Sequence, residues 1–208
     1  MKLIVITPSN TIEHEHSIIG KMLEMGLPSL HVRKPKFSKE ELKDYLSGFS
    51  VDQIQKMIIH THFELLWSFD LKGIHMPGKY RRNKFKLFFL KAGSYLRRKH
   101  ILIGTSCKSL SSLSDAYKHF DYVAIAPVFP SFNGHVPGFS MGALVKIIPT
   151  CPGKVIARGG ATIENIKTAY SVGFSGVAFD EYIWDAPDPL VTFQNVLNAY
   201  KEQGLPIE

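Results

Sequence analysis

Short runs of apolar residues recur eight times along the chain, and longer stretches of mixed apolar and polar residues separate them. Most of these runs are continuously apolar, whereas a strand with one face in water would alternate. Continuous apolarity is typical of strands that are buried on both faces of a parallel sheet. We predict eight strands, at Leu3–Thr7, Ser29–Arg33, Lys56–His60, Gly73–His75, Ile101–Thr105, Tyr122–Ala126, Lys154–Ala157 and Gly176–Phe179.

The stretches between these runs carry signals of helix starts and ends. Ser38 followed by Glu41 predicts an N-cap, and apolar residues follow it at helical spacing. Thr162 opens a second such stretch, which we expect to end at Gly173. Further helices are predicted at 111–120, at 141–148, and from residue 187 or 189 to about residue 202.

Eight strands alternating with helices in 208 residues predict an α/β protein, a single-domain (β/α)₈ TIM barrel over residues 1–208. An open doubly wound sheet is the alternative. The even spacing of the strands, and the lack of a Gly-x-Gly-x-x-Gly motif after the first, favour the barrel. Chemistry in such a barrel is expected at the carboxyl ends of the strands.

The composition of the chain indicates where in the cell the protein is expected. No apolar run approaches the roughly 20 residues that a membrane helix needs, and the first residues are typical of a strand rather than a signal peptide. The two cysteines, Cys107 and Cys151, are too few to staple a domain of this length. We therefore expect reduced thiols, a cytoplasmic location and no membrane association.

The formal net charge is +7, and no acidic residue occurs from Leu71 to Ser114. This segment could attract phosphate or nucleic acid, but charge runs are more often solvated helix surface. Nucleic acid is the weaker expectation because no recognised module is present, and because Phe85, Phe88 and Phe89 are expected on the core face of a helix. The basic residues of the segment include Lys79, Arg81, Arg82, Lys84, Lys86, Lys91, Arg97, Arg98 and Lys99.

Four histidines lie at or just beyond the ends of predicted strands two to four: His31, His60, His62 and His75. Strand ends meet at one rim of a barrel, and imidazole can act as an acid, a base or a metal ligand near neutral pH. We take these four as the candidate catalytic residues. Zinc is an alternative, but the i, i+4 spacing of known histidine motifs is missing, and no metal ligand is assigned.

Other strand ends carry candidates for binding an anionic substrate. Arg33 is costly to bury at a barrel mouth unless it meets a substrate anion or a neighbouring Glu. Ser106 offers a hydroxyl, and the pair Gly159–Gly160 precedes a helix start, where backbone amides can bind phosphate. The long loop after strand six, which contains Ser131 and Gly138, is typical of a binding loop.

The chain resembles the family of thiamine-phosphate synthases and thiazole tautomerases, from Leu3 to about Ile183. The most specific part is the run from Asp121 to Ser131, which is similar to the family's Asp-Tyr segment ending in Pro, an aromatic residue, Pro and Thr. The other segments that carry the resemblance are 31–33, 73–75, 104–106 and 157–160.

This resemblance implies a (β/α)₈ barrel that acts on a small phosphorylated thiazole or pyrimidine. The synthase joins a pyrimidine pyrophosphate to a thiazole phosphate and releases pyrophosphate with the help of Mg²⁺. The tautomerase shifts double bonds in a thiazole carboxylate phosphate and needs no metal. Mg²⁺ would therefore be a cofactor only for the first reaction, and a homodimer is the oligomer to test because dimers are the commonest.

Several positions depart from the synthase pattern. Pro35 stands where the pattern has a Lys, and residues 60–62 replace a run that supplies a carboxylate for the metal. Tyr80 stands near the position of a further Asp, and Gly134 near that of a second Lys. Mg²⁺ prefers oxygen ligands, and pyrophosphate needs cations to leave. These departures favour tautomerase-like isomerisation over synthase chemistry.

The tautomerase pattern is also incomplete, because Ala126 fills the place of its strand-six His. Asp180 and Glu181 occupy the loop that usually helps to hold phosphate, and they would repel it unless cations intervene. True synthase activity and a non-catalytic barrel that binds a phosphorylated ligand both stay open as alternatives.

Overall fold

A computed structural model describes residues 1–78, 84–96, 100–131, 134 and 136–208. Eight parallel strands close into a barrel in chain order, and the eighth pairs with the first at Val5 and Phe179. The predicted (β/α)₈ barrel is confirmed, and the open sheet was the wrong alternative. The strands are β1 Lys2–Ile6, β2 Ser29–Val32, β3 Met57–Ile59, β4 Gly73–Met76, β5 Leu102–Cys107, β6 Tyr122–Ile125, β7 Val155–Arg158 and β8 Gly176–Phe179.

Helices and 3₁₀ turns connect the strands on the outside of the barrel. The helices are α1 Glu15–Glu24, α2 Lys39–Ser47, α3 Val51–Ile54, α4 Lys84–Leu96, α5 Leu110–His119, α6 Met141–Ile147, α7 Ile166–Val172, α8 Glu181–Trp184 and α9 Pro189–Glu202. The 3₁₀ turns are Phe63–Trp67, Ile148–Thr150 and Ile163–Asn165. No helix in these described ranges has the length and apolar character needed to cross a membrane.

The predicted caps explain where two of these helices begin and end. At the start of α2 the Glu41 amide donates to Ser38 Oγ over 3.2 Å, and the Ser38 amide donates to Glu41 Oε2 over 2.6 Å. The stretch that Thr162 opens begins with a 3₁₀ turn rather than an α-helix, and α7 follows. It ends at Gly173, whose φ of 97° is readily adopted only by glycine.

Side chains inside the barrel are apolar at its base and polar at its mouth. The base is filled by Ile4, Ile6, Ile58, Tyr122, Ala124, Ile156 and Ala178. Three glycines, Gly73, Gly104 and Gly176, lie in strands that surround this interior. A Cβ atom at Gly104 would overlap the ring of Tyr122, its neighbour across the β5–β6 ladder. Because Gly104 of β5 has no side chain, the ring of Tyr122 has room inside the barrel.

A fully buried ion pair lies beside the mouth. Lys34 Nζ is 2.7 Å from Glu15 Oε2, and the two side chains are 0% and 1% exposed. The ammonium also donates to the carbonyl oxygens of Pro8 and Asn10, at 2.9 and 3.1 Å, and the Tyr45 hydroxyl donates to Glu15 Oε1. Burial lowers the pKa of Lys34, and the contact with Glu15 opposes that shift. The pair fixes the loop between β1 and α1.

Six of the basic residues named for this segment lie outside the described residues: Lys79, Arg81, Arg82 and 97–99. The expectation for Phe88 and Phe89 is wrong, because they are 65% and 68% exposed, and the side chain of Phe85 lies outside what the structure describes. The face of α4 that packs on the core is the one that carries Leu87 and Leu90. Both cysteines are buried thiols that form no disulfide bond.

Glu15→Gln should lower the free energy of unfolding by about 3 kcal/mol, because the Lys34 ammonium would lose its buried counter-charge. The two carbonyl acceptors of Lys34 stay in place, which keeps the loss near the lower end of such values. Chemical denaturation measures the effect. Glu24→Gln, on the exposed side of the same helix, is the matched control and should change stability little. Equal stability of the two variants would contradict this role of the pair.

Candidate functional site

A cavity of about 750 Å³ opens at the carboxyl end of the strands. Its position agrees with the place where barrels of this kind carry their chemistry. The described residues that line it are Arg33, Pro35, His60, Thr61, His62, Phe63, Glu64, His75, Pro77, Gly78, Ser106, Lys108 and Arg158.

Three of the four predicted histidines meet at the bottom of this cavity. His31 in β2, His60 just after β3 and His75 in β4 are each at most 7% exposed. Nε2 of His60 is 3.2 Å from Nδ1 of His31. The rings of His60 and His75 stack, with centroids 4.5 Å apart and planes inclined by 21°. Strand alternation brings these side chains together, as the sequence predicts.

Tyr122 and Ser106 complete the cluster. Nε2 of His75 is 2.7 Å from Ser106 Oγ, and its Nδ1 is 3.0 Å from the Tyr122 hydroxyl. The same hydroxyl lies 3.5 Å from Nε2 of His31. Sequence reasoning treated Tyr122 only as part of strand six and missed its place here. The signal that could have found it is Gly104, since a glycine inside a strand often marks the close approach of another group.

The interior keeps the three imidazoles neutral at pH 7. Burial is the main cause that lowers the pKa of His31 and of His60 well below the usual value. Burial also lowers the pKa of His75 to about 3, and the positive charge of Arg158 acts in the same direction. A neutral imidazole has one donor and one acceptor nitrogen, so each ring can both take and give a proton.

His62 does not join the cluster. β3 ends at Ile59, so the alternation that places His60 inside the barrel does not continue to residue 62. His62 has a φ of 50° and begins the 3₁₀ turn, and its Nε2 is 2.8 Å from the carbonyl oxygen of Phe37. It lines the cavity mouth but lies apart from the other three rings.

Two guanidinium groups reach the cavity, from Arg33 just after β2 and from Arg158 at the end of β7. Arg33 contacts the neutral hydroxyl of Ser9 rather than a Glu, and its amide donates to Thr7 Oγ1. Burial and the positive charge of Arg158 lower the pKa of Arg33, and Asp180 opposes them. Arg158 Nη2 is 3.3 Å from Asp180 Oδ2, so a cation does stand beside that carboxylate.

Arg158 is a second residue whose place at the cavity was not predicted from the sequence, where it appeared only as part of the segment 157–160. β7 runs one residue further than predicted and ends at Arg158. Two-residue alternation from Ile156, which is in the barrel interior, then directs Arg158 to the cavity. Lys108 adds a third cation to the lining.

The remaining predicted binding residues do not contribute to the described part of the cavity lining. Ser131, Gly138, Gly159 and Gly160 are not among the described residues that line it. Gly159 and Gly160 have φ values of 82° and 66°. A Cβ at Gly160 would overlap the carbonyl oxygens of Phe129 and Pro130, so this glycine packs the end of β7 against the loop after β6. The Gly138 amide donates to Pro127 in the same loop.

One polar atom in the cavity wall has an unmet hydrogen bond. Thr61 Oγ1 is buried without a hydrogen-bond partner among the described residues. A buried hydroxyl in this state costs free energy unless another group satisfies it. Because Thr61 lines the cavity, a polar ligand seated there would supply that partner.

The ligand atoms of His31, His60 and His75 all lie within 4.8 Å of one another, which is close enough to hold a metal ion. A histidine lone pair lies in the plane of its ring, and the stacked rings of His60 and His75 direct theirs along nearly parallel planes. One ion cannot lie in both planes unless a ring turns away from its present partners.

The cavity suits Mg²⁺ poorly. That ion is bound through one or two carboxylates together with substrate phosphates. In the described part of the lining, Glu64 is the single carboxylate, and it lies 3.8 Å from Nδ1 of His62. Asp180 is paired with Arg158, and Tyr80 lies outside the described residues. The other polar groups are imidazoles, cations and hydroxyls.

The chain is similar in sequence and in fold to proteins of one family. The sequence model of the family described as "Thiamine monophosphate synthase" matches residues 3–183. A thiamine-phosphate synthase of Methanobrevibacter smithii is 22% identical over 98% of this chain and 97% of its own length. One of Limosilactobacillus fermentum is 22% identical, and the match spans 69% of this chain but only 66% of that protein.

A solved structure, the thiamine phosphate pyrophosphorylase of Bacteroides thetaiotaomicron, superposes with a TM-score of 0.78 at 22% identity. The match covers 97% of this chain and 98% of that one. At this level of identity the likeness establishes the shared fold.

The free energy of unfolding should fall as the pH is lowered from 7 to 5. The pKa of His75 is about 3 in the folded chain, against 6.5 for an ordinary histidine. Between these values the unfolded chain binds a proton that the folded chain does not, at about 1.4 kcal/mol per pH unit. Urea denaturation at both pH values measures the slope.

His75→Gln should make that slope shallower, because one of the groups that titrates on unfolding is gone. His100→Gln, at an exposed position, is the matched control and should leave the slope close to that of the unmodified chain. A slope that His75→Gln does not change would contradict a neutral buried His75.

Proposed function

The chain belongs to the thiamine monophosphate synthase family, and we propose that it binds a phosphorylated thiazole and shifts double bonds within it by proton transfer, without a metal ion. This is the tautomerase-like reaction of the family rather than the transfer reaction. The observation that carries the proposal is a cluster of neutral, buried imidazoles beneath a cavity whose mouth is lined with cations.

The imidazoles supply what a double-bond shift requires. Such a reaction removes a proton from one carbon and adds one to another, so it needs a base and an acid within reach of the same substrate. His60 and His75 line the cavity, and both are uncharged at pH 7 for the reasons given above. A neutral imidazole can accept a proton at one ring nitrogen while it gives up the proton on the other, so it can serve as base and acid without becoming charged.

The cations supply a place for the anionic groups of the substrate. The positive charge of Arg158 helps to lower the pKa of Arg33, and a bound anion would relieve that repulsion. A guanidinium binds phosphate or carboxylate through two parallel hydrogen bonds. Lys108 extends the positive lining toward solvent. These groups fit a ligand with one anionic group near β2 and β7.

Transfer of a pyrimidine with release of pyrophosphate is the second candidate. It is favoured by the names of the relatives from L. fermentum and M. smithii, both thiamine-phosphate synthases. The lining opposes it, because Glu64 is the single carboxylate that the described lining offers to Mg²⁺, and Pro35 stands at the position of one Lys of the synthase pattern.

The deciding experiment gives the purified chain two sets of substrates. The first is a thiazole carboxylate phosphate tautomer with EDTA present, followed by NMR for the shifted double bond. The second is the pyrimidine pyrophosphate with the thiazole phosphate and Mg²⁺, followed by release of pyrophosphate. Turnover in the first alone supports the proposal, and turnover in the second alone overturns it in favour of the synthase. Tight binding of the thiazole phosphate without turnover in either would instead make the chain a binding protein.

Arg158→Gln should weaken binding of the thiazole phosphate by about 10- to 100-fold, because a charge-assisted pair contributes about 1.5–3 kcal/mol. Asp180→Asn removes the carboxylate that now competes for Arg158 and should leave binding unchanged or tighter. Calorimetry measures both affinities. Lys167→Gln, at an exposed position on α7, is the charge-matched control. Equal affinities for Arg158→Gln and the control would place the anion elsewhere.

A further inference from the structure

Five side chains at the bottom of the cavity are joined into one continuous hydrogen-bonded chain, and we infer that this chain is a proton relay with both ends at the substrate. In order, its members are Ser106, His75, Tyr122, His31 and His60. As a route for substrate protons it rests on the proposed function. As a hydrogen-bonded unit it can be tested separately.

Every link joins two atoms that can share a proton. The separations, taken along the chain from Ser106 to His60, are 2.7, 3.0, 3.5 and 3.2 Å. The third, from the Tyr122 hydroxyl to Nε2 of His31, is the longest and so the weakest. Each histidine in the middle of the chain uses both of its ring nitrogens, one toward each neighbour.

The protons of this chain have two consistent arrangements. In the first, Ser106 donates to His75, and the hydrogen bonds point toward His60, so that all three imidazoles carry their proton on Nδ1. In the second, every hydrogen bond is reversed, and all three carry it on Nε2. A neutral imidazole has one N–H and one lone pair, which is why a single ring cannot reverse without its neighbours.

Moving from the first arrangement to the second transfers one proton and leaves no charge behind. A proton enters at Ser106 Oγ, one O–H or N–H bond forms and one breaks at each link, and a proton leaves from Nδ1 of His60. The five side chains together hold the same number of protons before and after the transfer. A substrate that loses a proton at one carbon and gains one at another supplies and consumes that proton, so no further reactant is needed.

The position of the two ends supports a relay. Ser106 and His60 both line the cavity, whereas His31 and Tyr122 are not among its described lining residues. Nε2 of His60 faces His31, which leaves Nδ1 as the nitrogen it can offer to a ligand. His75, the third inner member, also lines the cavity, but His31, His75 and Tyr122 are only 3%, 3% and 4% exposed and so are shielded from water. Water therefore cannot exchange protons with the middle of this hydrogen-bonded series.

Tyr122 is a positioning residue in this account, because it touches two histidines and not the cavity. Burial raises the pKa of its hydroxyl well above the usual value, and the charge of Asp121 adds to that shift. The hydroxyl thus keeps its proton at pH 7. It passes one proton on only as it receives another, which is the behaviour a relay needs.

Nitrogen-15 NMR of the three histidine rings in the full chain at pH 7 tests the hydrogen-bonded unit without any substrate. A relay predicts that His31, His60 and His75 share one tautomer or the same ratio of two. Tyr122→Phe keeps the ring and removes the hydroxyl, so His75 should no longer match the other two. Different tautomers in the unmodified chain, a doubly protonated ring, or rings that still match in Tyr122→Phe would overturn the relay.

Turnover of the thiazole carboxylate phosphate tautomer tests the route for substrate protons. Tyr122→Phe should lower kcat about 100-fold or more and change KM little, because the hydroxyl transfers protons but does not touch the substrate. Tyr200→Phe removes a hydroxyl that contacts only the carbonyl oxygen of Lys2 among the described residues, and it is the matched buried control. Full kcat in Tyr122→Phe would overturn the relay.

The two measurements separate failure of the relay from failure of the proposed function. If the unmodified chain does not turn over the thiazole compound, the proposed function is wrong, and the NMR result alone decides whether the five groups form one unit. If it does turn over the compound and the histidines do not share a tautomer, the function stands and the relay falls. A thermal melt of both tyrosine variants shows whether each is folded.

Discussion

Exclusion of water from the closed barrel governs the rest of this site. A polar side chain that enters such an interior loses its hydration and must find partners among its neighbours. The histidines at the carboxyl ends of β2, β3 and β4 meet that requirement with one another, with a tyrosine and with a serine. The same loss of water keeps the imidazoles uncharged, so one physical cause sets both their geometry and their chemistry.

The mouth of the barrel obeys the opposite requirement. There the side chains are cations, and each is held by a different kind of partner. Arg33 contacts a hydroxyl, Arg158 is paired with Asp180, and Lys34 is buried against Glu15. The buried pair holds the loop that carries Ser9, and through that loop it affects the position of Arg33. The layer of cations is thus separated from the layer of neutral imidazoles.

The fold could be predicted from the sequence because buried parallel strands leave an unmistakable pattern of apolar runs. His31, His60 and His75 could be placed together because each follows the two-residue alternation of its own strand. His62 could not, since β3 ends before it and the chain turns. Tyr122 and Arg158 were missed for a related reason, because their roles depend on which strand lies opposite and on where a strand ends by one residue. The binding roles of Ser131, Gly138, Gly159 and Gly160 stay predictions.

The close approach of Gly104 and Tyr122 constrains how this barrel can evolve. A methyl group on the one would occupy the space of the ring on the other, so substitutions at these positions are not independent. A lineage that gains any side chain at position 104 must first give up the aromatic ring at position 122. Covariation between two strands therefore carries information about the chemistry of the mouth, even though one of the two residues has no functional group at all.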